Sequence, residues 1–134
     1  MSDNKIVRVR DVMTDSYQLV DGMMMVSDAM TALKKSGDVV LIVNKRHDDD
    51  EYGIVLLTDI AREVLAVNRA PDRVNIYEIM SKPVVGVDPE MDIRYCARLF
   101  SKLGFSRAPV IDKGKLVGVV GYADLLLKGL YETF

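Results

Sequence analysis

Apolar positions along the chain alternate between two periods in a fixed order. Gln18 to Val20 is a short strand-like run; Val26, Ala29, Met30 and Leu33 then recur at helical spacing until Gly37 stops them. Val39 to Val43 is an unbroken apolar run of strand length, as in a strand covered on both faces. Lys45 to Glu51 carries a charged or titratable side chain at every position and predicts a solvated hairpin tip, from which Gly53 to Leu57 returns as the partner strand. Thr58 can cap a helix running from Asp59 to about Asn68.

The order then repeats. Asp92 is a natural cap for a helix with Ile93, Cys96, Ala97, Phe100 and Leu103 on one face. Asp112-Lys113-Gly114-Lys115 has the residues of a tight hairpin turn, and a closing helix runs from about Tyr122 to Tyr131. Local motifs recur in the same sequence. Asp11-Val12-Met13-Thr14 returns 67 positions later as Glu78-Ile79-Met80-Ser81, and at that offset Val20-Asp21 matches Val87-Asp88, Met24 matches Met91 and Gly37 matches Gly104. Val43-Asn44 aligns with Ile111-Asp112, and Gly53 to Ile60 aligns with Gly118 to Leu125.

These patterns predict an α+β fold of two β-α-β-β-α repeats, at 7–69 and 76–132, joined by a linker at 70–75 that contains Ala70-Pro71-Asp72. Neither copy alone has an evident way to cover its apolar sheet. Residues 1–134 are therefore expected to form one structural unit, with the repeats packed by their sheets about a pseudo-twofold axis.

Composition narrows the function classes. The 134 residues are 49% hydrophobic and 28% charged, with a net charge of −2, so no overall basic character favours nucleic acid or an anionic membrane. Cys96 is the single cysteine, which excludes an intramolecular disulfide and fits a reducing compartment. The polar start of the chain lacks the apolar run of a signal peptide, and no uncharged stretch approaches the ~20 residues that span a bilayer. A cytoplasmic protein is expected.

The ordered set resembles the cystathionine-β-synthase (CBS) repeat, present twice. The second copy carries the closer resemblance: Met80-Ser81-Lys82-Pro83, Val87-Asp88-Pro89, Arg107-Ala108-Pro109-Val110-Ile111-Asp112, and Gly118-Val119-Val120 leading to Asp124. The resemblance implies a CBS pair, or Bateman module, that binds an adenosyl ligand (AMP, ADP, ATP or S-adenosylmethionine) in clefts between repeats. It also implies association into a disc-like homodimer. With no catalytic domain in the sequence, the signal is expected to pass through a partner protein or the oligomer. No cofactor is required for such a role.

Residue by residue, the resemblance places a ribose-binding aspartate at Asp59 and at Asp124; each is equally readable as a first-turn acid that favours its helix dipole. The hydroxyl positions before these acids hold Leu56 and Thr58 in the first copy and Gly121 and Ala123 in the second. Only Thr58 keeps a hydroxyl, which favours AMP or ADP over ATP and Asp59 as the dominant acid. Adenine contacts are implied near Gln18, Asp38, Val39 and Val40 in one copy, and near Val85, Ser106, Arg107 and Ala108 in the other. Arg107 suits a phosphate bidentately, or else pairs with a nearby acid; Arg62 is a weaker candidate. A ligand-free dimerisation scaffold is the alternative reading.

Little else carries chemistry. His47, the single histidine, lies in the acidic stretch His47-Asp48-Asp49-Asp50-Glu51, which lacks the glycine of a calcium loop and reads as solvated. Cys96 falls on an apolar helix face, Met23-Met24-Met25 reads as ordinary core filling ahead of adaptable packing at an interface, and no phosphate loop, zinc spacing or serine elbow is present. No catalytic or metal residues are expected.

Overall fold

A computed structural model describes residues 5–82 and 84–134; Pro83 of the second copy's motif lies outside the described residues. In chain order the elements are α1 (Val9–Val12), β1 (Gln18–Val20), α2 (Val26–Ser36), β2 (Val40–Val43), β3 (Gly53–Leu56) and α3 (Leu57–Ile60, continuing in π geometry over Ala61–Leu65). There follow α4 (Ile93–Leu103), β4 (Arg107–Asp112), β5 (Lys115–Gly121) and α5 (Asp124–Leu130 in π geometry, then Tyr131–Thr133). The mixed composition is the α+β fold expected.

The chain forms two compact units. One is Ser16–Val84; the other joins the segment ending at Asp15 to Val85–Phe134. In the first, β1 pairs parallel with β2 and β2 antiparallel with β3, so β2 is central and all four of its residues are buried. Val26, Ala29 and Leu33 of α2 close one side of that core with Ile60 and Val64 of α3. In the second unit β4 pairs antiparallel with β5, and Val87 bridges in parallel to Val110 where β1 lies in the other unit. Its core joins Ile93, Cys96 and Phe100 of α4 to Ala108, Val110, Val120 and Leu125.

The units are offset from the sequence repeats. Val7, Val9 and Val12, expected in the first copy, are core residues of the second unit: the Val9 amide donates to the Met91 carbonyl (2.8 Å) and the Ile93 amide to the Val7 carbonyl (3.0 Å). Thr14 and Val119 exchange two backbone hydrogen bonds at 2.9 Å. The mirror arrangement holds in the first unit, where Ile54 and Ser81 exchange two bonds at 3.0 Å. Each Met-Thr or Met-Ser motif thus supplies an edge to the sheet of the other copy, satisfying strand amides that would otherwise lack partners. The expected linker at 70–75 is likewise packed: Val74 is buried and accepts from the Val26 amide at 2.8 Å. The repeat boundaries 7–69 and 76–132 mark sequence copies, whereas the compact units exchange their leading segments.

Gly118 shows why this edge needs a glycine. A Cβ there would lie 2.9 Å from the Thr14 carbonyl oxygen, too close for any other residue without displacing the segment.

The ladder also fixes an equivalence that the alignment misplaced by one residue. Val43 faces Val20 and Gly53, as Val110 faces Val87 and Gly118; Val43 therefore corresponds to Val110, not Ile111. The register shifts only beyond that position, between Val110 and Ile111, where Val117 of β5 is left without a partner in the ladder. By the same register Val40, opposite Leu56, corresponds to Arg107, opposite Gly121.

Helix ends follow the expected chemistry with one exception. Asp92 caps α4 by accepting the Arg94 amide at 2.8 Å, and Gly37 and Gly104 end α2 and α4 in the left-handed region. Thr58, expected to cap α3, lies inside its first turn with an exposed side chain; the helix starts at Leu57, two residues earlier than expected, and Asp59 supplies the acceptor.

Candidate functional site

In each unit an acid at the start of a helix is held in the same way. One oxygen of Asp59, Oδ2, accepts the Leu56 amide at 2.8 Å, while Oδ1 accepts from Arg62 Nη2 at 2.8 Å. Oδ2 of Asp124 accepts the Gly121 amide at 2.9 Å, and Oδ1 lies 3.2 Å from Lys128 Nζ. Both carboxylates are largely sequestered, with 14% and 17% of their side-chain surface exposed. The cause is local: a strand ends, the chain turns into a helix, and the acid three residues on reaches back to the last strand amide. A cation one turn along then neutralises the outward oxygen.

The other predicted residues gather at the same end of each sheet. In the Ser16–Val84 unit, Gln18 stands beside Leu41 in the parallel ladder, and its Nε2 donates to Asp38 Oδ2 at 2.7 Å. Among the described residues Asp38 Oδ1 has no hydrogen-bond partner. Val40 is fully buried, Val39 half-buried, and Thr58 exposed. In the other unit Arg107 faces Gly121 across the ladder, and a Cβ on Gly121 would lie 3.3 Å from both Arg107 Cγ and the Ser106 carbonyl oxygen. The bare backbone lets the arginine stem lie across the strand end. No carboxylate approaches the Arg107 guanidinium within 4.0 Å among the described residues, so the rim ion pair considered from the sequence is not formed. Ser106 and Val85 are exposed, and Ala108 is buried in the core.

Asp50 departs from the sequence reading. Instead of a solvated loop acid, its side chain is 7% exposed and bound on both oxygens. Lys82 Nζ lies 2.7 Å from Oδ1, while Oδ2 accepts from the Arg46 amide at 2.8 Å and from Arg46 Nε at 3.1 Å. These donors, Lys82 foremost, hold its carboxyl well below the usual carboxylate range. The cluster borders a cavity of about 460 Å³ lined by Asp21, Asn44, Tyr77, Met80, Arg46 and Lys82, at the opposite end of β2 from Asp38. None of the sequence-predicted ligand residues lines that cavity. The signal for Asp50 was not local, because Lys82 is 32 positions away.

Elsewhere, burial pushes the Cys96 thiol up to about 11, as an apolar pocket does to a group whose charged form it disfavours. His47 is exposed in the loop. Among the described residues no group of three or more His, Cys, Asp or Glu side chains is arranged to hold a metal ion, and no helix is long and apolar enough to cross a membrane.

Comparisons with known proteins agree with this fold. A family profile described as "CBS domain" matches residues 76–130. The hexameric CBS-CP12 protein from bloom-forming cyanobacteria is similar over 96% of this chain and 75% of its own, at 37% identity and a TM-score of 0.91. The CBS domain pair of protein MJ0100, solved in complex with 5′-methylthioadenosine and S-adenosyl-L-methionine, is 25% identical over 96% of this chain and 99% of its own, with a TM-score of 0.81. An uncharacterized protein of Methanopyrus kandleri is 35% identical over 88 residues, which are 65% of this chain and 44% of that protein. The chain spans under half the length of the first curated relatives it matches.

Proposed function

Since the chain belongs to the CBS-domain family, we propose that it is a regulatory module that binds an adenosyl ligand and passes the bound state to a partner protein or to its own oligomer. The observation that carries this reading is the repeated acid: Asp59 and Asp124 occupy the same place in both units, each anchored to a strand amide. A carboxylate so fixed, with its second oxygen held only by a surface cation, is preorganised to accept the paired hydroxyls of a ribose. Within their own units, Gln18 and Asp38 in the one and Val85, Ser106, Arg107 and Ala108 in the other lie at strand ends where a base and its substituent would be met. The adenosyl ligands of the MJ0100 CBS pair support the ligand class. AMP and ADP rank above ATP, because Leu56, Gly121 and Ala123 offer no hydroxyl and, among the described residues, Arg107 is the one guanidinium at these strand ends without an acid partner.

The same reading makes the protein a cytoplasmic homodimer without catalytic activity, independent of nucleic acid and membrane. Leu126, Leu127, Leu130, Tyr131 and Phe134 leave an exposed apolar surface on and after α5 that a second copy is suited to cover. Light scattering at micromolar concentration tests this: a dimeric mass agrees and a monomeric mass does not.

One observation favours a second reading. Both acids are already satisfied by an amide and a cation of their own unit, as a purely structural helix-start acid would be. A ligand-free scaffold is the function that follows. A thermal-shift series with AMP, ADP, ATP, NADH and S-adenosylmethionine separates the two, since a ligand that binds only the native state raises the melting temperature. A rise with AMP or ADP supports the sensor; no shift with any of them at millimolar concentration supports the scaffold.

A further inference from the structure

The two anchored acids sit in electrostatically opposite surroundings. In the Ser16–Val84 unit Asp38, Asp59 and Arg62 are charged side chains at the strand ends. Arg62 is bound to Asp59 at 2.8 Å and lies 3.5 Å from Glu63, so its charge is matched by acids of its own helix. Among the described residues Asp38 keeps one oxygen without a hydrogen-bond partner. In the other unit the corresponding set is Arg107, Asp124 and Lys128. Lys128 neutralises Asp124, and Arg107 has no acid partner among the described residues. The register makes the contrast direct. The ladder position of Arg107 is taken in the first unit by buried Val40, and the glycine that gives Arg107 room is there Leu56. The Gln18–Asp38 hydrogen bond stands at positions that the 67-residue offset occupies with Val85 and Phe105, both apolar.

A phosphate carries nearly two negative charges at neutral pH, is repelled by a nearby carboxylate and is met bidentately by a guanidinium. Building on the adenosyl-ligand reading above, the geometry points to half-sites sorted by ligand charge. The Arg107–Asp124 side takes a phosphorylated adenosyl ligand. The Asp38–Asp59 side takes an adenosyl ligand without phosphate, either a neutral thioether nucleoside or a cationic sulfonium. For a phosphorylated ligand this reverses the weight that Thr58 gave to Asp59, because one neutral, exposed hydroxyl does not offset an adjacent acid.

Calorimetry on the full chain, with AMP and 5′-methylthioadenosine as probes, tests the sorting. Arg107→Gln is expected to weaken AMP roughly tenfold or more, the loss of a charged hydrogen-bond donor, while methylthioadenosine affinity stays within about twofold. Arg107→Lys is expected to recover part of the AMP affinity, because it restores charge but not the planar fork. Asp38→Asn, which keeps an acceptor for Gln18, is expected to raise AMP stoichiometry by admitting it to the second half-site. Equal loss of both ligands in Arg107→Gln, or no loss of AMP, overturns the sorting and leaves the adenosyl reading standing. No heat from either ligand on the unsubstituted protein overturns both.

Discussion

Arg62 donates to Asp59 across 2.8 Å while the other oxygen of the same carboxylate holds the Leu56 amide, and Lys128 and Gly121 repeat this around Asp124. Each acid therefore has a structural task whatever it binds. Alanine at either position removes the acceptor from the first helical turn, which costs about 1 kcal/mol by analogy with lost helix caps. Chemical denaturation is expected to show a similar loss for Asp59→Ala and Asp124→Ala. A null effect in both would mean that neither carboxylate anchors its helix.

Glycines at the sheet edges should differ in tolerance. At Gly118 an added Cβ meets the Thr14 carbonyl oxygen at 2.9 Å, a backbone atom that moves only with its segment. At Gly53 it meets the sulfur of Met80 at 2.8 Å, the mobile part of a flexible side chain. Gly118→Ala is expected to cost about 1–3 kcal/mol in denaturant titrations, the range of overpacking, and Gly53→Ala less. The reverse order would contradict the docking of Thr14 on β5.

The Asp50 cluster predicts an acid-sensitive term. Lys82, then Arg46, lowers its carboxyl below the ordinary 3.8, so the unfolded chain binds that proton first as pH falls. The stabilisation is complete above about pH 4–5 and is lost progressively below it. Asp50→Asn should flatten the acid limb of the stability curve and lower stability at pH 7. An unchanged acid limb would show that the cluster does not persist in solution.

Cys96 gives a chemical readout of the core. With its thiol raised to about 11 and its side chain buried, it is almost wholly protonated at pH 8. Native protein should resist alkylation by iodoacetamide and react readily in denaturant. Rapid native alkylation would place Cys96 at the surface.

Much of this was legible in the sequence because the signals were local. Gly37 and Gly104 mark helix ends, Asp92 marks a cap, and Lys113 and Gly114 both adopt the positive φ of a tight hairpin. Exchange of the leading segments was not legible, since Val9 and Met91, or Ile54 and Ser81, are joined by backbone bonds that leave no side-chain pattern. The alignment slipped at Ile111 because the apolar run of β4 continues one residue beyond the equivalent of Val43 before its first polar residue, Asp112. Asp50 was hidden in a run of acids whose partner, Lys82, enters from a distant segment. At the candidate site, the sequence singled out Asp59, Asp124 and Arg107; Lys128 and the Gln18–Asp38 bond required coordinates.

The most direct test of the account is the affinity of AMP for Asp124→Ala, measured calorimetrically well below the variant's melting temperature. A ribose held by this carboxylate loses two charged hydrogen bonds of ~1.5–3 kcal/mol each. Affinity is therefore expected to fall by roughly one to three orders of magnitude after allowance for partial compensation. AMP binding to Asp124→Ala as tightly as to the unsubstituted protein would contradict the account at its central residue.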